Sequence, residues 1–94
     1  MATVRIEHAV SNFEQWKRTF DGDPADRQGS GVSRYQVLRS HDDPHFVTID
    51  LEFDTVPRAE AFLRKMETLW AGPAKAIIRT PRARVFDIVE LKSL

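Results

Sequence analysis

The chain has 94 residues, with 14 Lys plus Arg against 14 Asp plus Glu and no cysteine. That length predicts a single domain over residues 1–94, because two would each fall short of a stable core. The balanced charge excludes a general nucleic-acid binder and a polybasic membrane patch, both of which need surplus cations. The absence of cysteine excludes disulfides, thiolate metal sites, iron–sulfur clusters and a cysteine nucleophile.

The opening stretch Met1–Glu7 interrupts its apolar residues with charge, unlike a signal peptide. No apolar run approaches the length of a membrane span. A cytoplasmic protein is expected.

Residues 3–10 alternate, with Val4, Ile6, His8 and Val10 on one side and Arg5 and Glu7 on the other. That is a strand with one apolar face. Ser11-Asn12-Phe13-Glu14 matches a capping box, with Ser11 as the cap and Glu14 reaching back. Phe13, Trp16 and Phe20 recur at helical spacing and predict a helix over 12–20. Asp21-Gly22-Asp23-Pro24 stops it and opens a polar loop that runs to Gly31.

Residues 32–39 and 46–53 read as two strands around the turn at 40–45. Residues opposite one another in a hairpin share a face. Pairing positions that sum to 84 sets Val37 against Val47, Tyr35 against Ile49 and Arg34 against Asp50. Pairing positions that sum to 86 keeps the same faces and stays open. A slip by one residue would set Arg34 against Leu51 and turn an apolar side chain to solvent.

Thr55 can cap a second helix, with Pro57 in its first turn, where a missing amide costs little. Ala59, Phe62, Leu63, Met66, Leu69 and Trp70 then form one stripe, and Glu60 can pair with Arg64 on the exposed side. Gly72-Pro73 ends the helix, a short helical turn is expected within 74–80, and 82–91 read as a last strand of undetermined facing.

The order β-α-β-β-α-β, with right-handed crossovers, gives an α+β, ferredoxin-like fold. Its antiparallel four-stranded sheet has the order 4-1-3-2, with both helices on one face. The covered face takes Val4, Ile6, His8, Tyr35, Val37 and the apolar side of 46–53. The bare face mixes Arg5, Glu7, Arg34 and Asp50 with Leu38 and Phe46. It is either a solvated charge lattice or a surface that meets another subunit.

Several stretches carry a family resemblance: Val4-Arg5-Ile6-Glu7-His8-Ala9-Val10, Phe13…Trp16…Phe20, Tyr35-Gln36-Val37-Leu38, Phe46–Phe53, Ala61-Phe62-Leu63, Leu69-Trp70 and Ala83-Arg84-Val85-Phe86-Asp87. Nearly the whole chain resembles the dimeric α/β-barrel superfamily, in its small antibiotic-biosynthesis-monooxygenase-like branch. These are patterns rather than catalytic signatures. The resemblance implies a homodimer in which two sheets pack face to face, through a surface that includes Arg34, Leu38, Phe46 and Asp50. It also implies a pocket between sheet and helices. Members include cofactor-free quinone-forming monooxygenases, haem-degrading enzymes and isomerases. The quinone-forming and haem-degrading members use an Asn in the first strand and a Trp near the second helix, and haem degradation also takes a His there. Trp70 is similar in position to that Trp, but the first strand has no Asn and the second helix no His. Haem degradation is therefore disfavoured, and the monooxygenase pattern is incomplete.

His8 falls on the apolar side of its strand, as does Tyr35 of its own. A catalytic reading makes His8 a general base or proton shuttle, Tyr35 the group that polarises a substrate oxygen, and Asp87 a neighbour that raises the imidazole pKa. Trp16, Phe62 and Trp70 would wall the substrate. The structural alternative is a core histidine satisfied by Tyr35 or backbone. His41-Asp42-Asp43-Pro44-His45 has metal-ligand residue types, but Asp and Pro are equally turn residues, and no metal is expected. Arg79, Arg82 and Arg84 are either an anion site or scattered surface charge. No phosphate loop, nucleophile elbow, HExxH or dinucleotide fingerprint occurs.

The expected function is a homodimer that binds a small planar hydrophobic or aromatic molecule. It would act on that molecule as a cofactor-free monooxygenase or isomerase. The alternative is a dimeric binding module without catalysis.

Overall fold

The computed structural model describes residues 1–72, 75 and 78–94. Its elements are β1 (Ala2–Val10), α1 (Phe13–Asp21), β2 (Val32–Arg39), β3 (Phe46–Phe53), α2 (Val56–Ala71) and β4 (Ile78–Asp87). The strands form one antiparallel sheet in the order β2-β3-β1-β4, the arrangement expected from the sequence. Trp16 of α1 and Ala59 and Phe62 of α2 share one buried cluster with Val4, Ile6, Val47, Ile49 and Leu51. Both helices therefore cover the same face. Alternation explains why: β1 and β3 each bury every second side chain, and that face needs an apolar lid.

Asn12, not Ser11, caps α1: its side-chain oxygen accepts from the Gln15 amide at 2.9 Å. Asn offers the same acceptor one residue later. Thr55 caps α2 as expected, accepting from Arg58 N at 3.4 Å. Arg64 donates to the Glu60 carbonyl oxygen at 3.0 Å rather than to its carboxylate. The last strand spans Ile78–Asp87 rather than 82–91, so residues 78–80 are strand and not helix. The rest of the 74–80 expectation falls largely outside the described residues.

The hairpin takes the register that sums to 86, not 84: Tyr35 faces Leu51, Val37 faces Ile49 and Arg34 faces Glu52. Charge explains the choice. Arg5 of β1 already sits opposite Asp50 and holds it at 2.8 and 3.0 Å through two guanidinium nitrogens. The other register would press Arg34 onto that same carboxylate and leave Glu52 facing Val32. In the observed one each β3 carboxylate has its own arginine, with Arg34 paired to Glu52.

Across the β1–β4 ladder, Glu7 pairs with Arg82 but Ala9 pairs with Arg79. One extra residue therefore lies in β4, at Thr80-Pro81, and His8 sits opposite the gap. Proline cannot donate to a ladder and is found at such bulges. Thr80 has φ of 48°, a left-handed conformation that a β-branched residue adopts only under strain. Asn tolerates that conformation better. Thr80→Asn should therefore raise unfolding free energy by roughly 0.5–1 kcal/mol in urea denaturation, whereas Thr80→Val should lower it.

Candidate functional site

A cavity of about 110 Å³ lies between the helix-covered face of the sheet and the helices. Ile6 and His8 of β1 form part of its floor, Trp16 of α1 one wall, and Phe62 and Trp70 of α2 another. Pro24, Ala25 and Arg27 of the α1–β2 loop form part of the rim.

Each element positions its residue for a simple reason. Strand alternation puts His8 beside Val4, Ile6 and Val10, opposite the fully buried Val47. Its imidazole is only 2% exposed. Trp16 and His8 meet edge-to-face with ring centroids 5.4 Å apart, and Phe20 stacks on Trp16 at 5.2 Å. Phe62 packs on Phe53 at 5.3 Å and is 2% exposed.

Two polar atoms stand out in this apolar surrounding. Neither His8 Nδ1 nor Trp70 Nε1 has a hydrogen-bond partner among the described residues, although both are buried. An unpaired buried polar group costs about 1–3 kcal/mol. Burial also pushes the His8 pKa down to about 4, opposed more weakly by an interaction with the Ala9 backbone that falls outside normal hydrogen-bond geometry. The ring is therefore neutral at pH 7, and which nitrogen carries the proton depends on what it meets.

His8, Trp16, Phe62 and Trp70 all line the cavity, but two other expected site residues do not. Tyr35 is on the helix-covered side, yet it lies on the edge strand, opposite Leu51 and so level with Val4, and is 47% exposed. Two strand spacings and four residues separate it from His8, about 16 Å. Its ring instead meets Phe20 edge-on at 5.3 Å. Asp87 pairs with Ala2, because an antiparallel β4 brings its C-terminal end to the start of β1. Six residues of strand then separate it from His8, about 20 Å, too far to tune the imidazole.

Arg27 was not anticipated. Its guanidinium stacks on Phe20 at 3.8 Å and on Tyr35 at 4.8 Å, and donates to the Phe20 carbonyl oxygen at 2.7 Å. It also pairs with Asp23 at 3.4 Å. No periodicity marks a loop arginine. The one available signal was Pro24-Ala25, an apolar pair inside a polar loop, and Ala25 is indeed buried.

The His41–His45 turn is tied to the fold. His45 Nδ1 donates to the Val10 carbonyl oxygen at 3.1 Å, and Asp43 accepts from the His45 amide at 2.9 Å. Among the described residues, no group of three or more His, Asp or Glu is placed to hold a metal. Arg79, Arg82 and Arg84 sit opposite Ala9, Glu7 and Arg5, on the parity of the bare face. No helix among the described residues is long and apolar enough to cross a membrane.

No family model matches the chain, and no curated protein does either. Solved structures do. SnoaB, a cofactor-independent oxygenase from Streptomyces nogalater, superposes with a TM-score of 0.75 at 17% identity, over 99% of this chain and 95% of that one. A candidate antibiotic biosynthesis monooxygenase from Nitrosomonas europaea gives 0.73 at 17% identity, over 96% of this chain and 100% of that one. A dimeric ferredoxin-like protein from an uncultured marine organism gives 0.74 at 8% identity, with 100% of both chains covered. The chain has the fold of these monooxygenase-like ferredoxin-fold proteins. At such identities the likeness speaks for the fold alone.

The His8 shift makes a signed prediction. The unfolded ring titrates near 6.5 and the folded one near 4, so the native state binds fewer protons between those values. Stability from this group is complete above pH 6.5 and falls away as pH drops towards 4. The total is on the order of 3 kcal/mol. His8→Leu should remove this slope: the difference in unfolding free energy between wild type and variant should grow in the variant's favour from pH 7 to pH 4.

Proposed function

We propose that the protein is a homodimer, each subunit of which binds a small planar molecule in the His8–Trp70 cavity and transforms it without a metal or organic cofactor. The observation that carries this reading is a mainly apolar, partly open cavity holding two buried polar atoms with no hydrogen-bond partner among the described residues, His8 Nδ1 and Trp70 Nε1. Similarity in fold to a cofactor-independent oxygenase supports it.

In this reading Trp70 Nε1 donates to an oxygen of the ligand, and Trp16 and Phe62 offer ring surfaces to a planar one. His8 accepts a hydrogen bond and relays a proton. Its low pKa makes it always available as an acceptor at neutral pH, but a weak base on its own. An anion formed beside it would draw that pKa back up, because opposite charges favour each other in a low dielectric. An isomerase would return the proton to another carbon. An oxygenase would let the ligand anion reduce dioxygen, turning an aromatic C–H into C=O, with the second oxygen atom leaving as water. His8's weak basicity favours a second reading, a binding module without turnover. Oxygen uptake with quinol substrates separates the two: wild type should consume dioxygen and His8→Leu should not. Equal rates in both would remove His8 from the chemistry.

The dimer would form through the bare sheet face, where Leu38 is 39%, Phe46 37% and Phe86 42% exposed. A trough of about 860 Å³ lies over that face, between the sheet and residues 87–91. Arg5–Asp50 and Arg34–Glu52 are pre-formed there. A pair that is worth under about 1 kcal/mol in water gains strength when a second sheet excludes solvent. Leu38→Glu with Phe46→Glu should shift sedimentation-equilibrium mass from two chains to one and leave the monomer fold intact by circular dichroism.

A further inference from the structure

Resting on that reading of the cavity, we infer that its ligand is a weak acid of one ring or less, carrying an uncharged hydroxyl or enolisable carbonyl. A polycycle or a carboxylate does not fit.

Size comes first. The cavity is about 110 Å³. An apolar protein cavity of roughly 150 Å³ holds one benzene, and drug-sized ligands occupy roughly 300–1,000 Å³. The floor cannot recede, because Ile6, Ile49 and Leu51 are at most 3% exposed and belong to paired strands. The α1–β2 loop on the rim is tied down as well. Lys65 Nζ donates to the Ala25 carbonyl oxygen at 3.0 Å and to Ser30 Oγ at 2.6 Å. Arg27 holds the Phe20 carbonyl oxygen from the same loop.

Polarity comes second. An indole N–H can only donate, so Trp70 requires a lone pair on the ligand. A neutral imidazole nitrogen can accept or donate according to its tautomer. A hydroxyl serves both kinds of partner; a hydrocarbon serves neither, and an ether can only accept. A carboxylate would bring charge into an apolar space where the nearest cation, Arg27, is already committed to Asp23 and the Phe20 carbonyl. That desolvation is costly without a free counter-charge. Three waters of about 30 Å³ each are the competing occupant.

The test is an NMR titration of the full chain that reads the Trp70 indole N–H, with phenol, benzene, anisole, benzoate and 1-naphthol as probes. Phenol should shift that resonance and bind roughly tenfold or more tightly than each of the others. Trp70→Phe, followed by protein methyl signals, should erase phenol's advantage over benzene. Equal binding of 1-naphthol would overturn the size limit while leaving the cavity's proposed role in place. Equal binding of benzene or anisole would overturn the hydroxyl requirement, and equal binding of benzoate the requirement for an uncharged ligand. If no probe moves the indole, the cavity holds water only, and both this inference and the small-molecule reading fall.

Discussion

Seating the His8 imidazole on the buried face of β1 leaves a ring nitrogen without a partner among the described residues, at about 1–3 kcal/mol, and Trp70 Nε1 adds a similar cost. A domain of this size is stable by only about 5–14 kcal/mol in all. Such a cost persists because the surroundings hold the ring in place. Strand parity aims it inward, Trp16 packs against it, and the Thr80-Pro81 bulge removes its neighbour on β4. These constraints meet at the cavity, where His8 Nδ1 and Trp70 Nε1 are buried polar atoms without a partner among the described residues.

The opposite face of the sheet obeys a different rule. There the carboxylates of β3 are matched one to one with arginines from the strands on either side. This matching selects the hairpin register, so the charge lattice also carries Tyr35, already two strands from His8, two residues further along the sheet. The same lattice presents a surface whose apolar residues sit at opposite corners, Leu38 and Phe46 at one end and Phe86 at the other.

The fold was legible because its signals are local and periodic. Alternation in 3–10 and 46–53, the Phe13–Trp16–Phe20 spacing and the Thr55-Pro57 start each point to one element. The facing of His8 followed from parity alone. What the sequence could not show was distance along strands. Tyr35 and His8 share a face, yet register and strand order set them far apart. The facing of Asp87 depended on a strand whose start, at Ile78, lies beyond a bulge that no periodicity announces. Arg27 was invisible because loops carry no period, and its role depends on Phe20 and Tyr35 meeting in space.

A direct test of the account is the protonation of His8 itself, followed by nitrogen-15 NMR of the three imidazoles as pH is lowered. One ring should keep its neutral-form shifts through pH 5.5 and titrate near 4, and His8→Leu should delete that ring's signals. If all three rings titrate between pH 6 and 7, His8 is hydrated or hydrogen-bonded. The buried, unpaired ring nitrogen would then not exist.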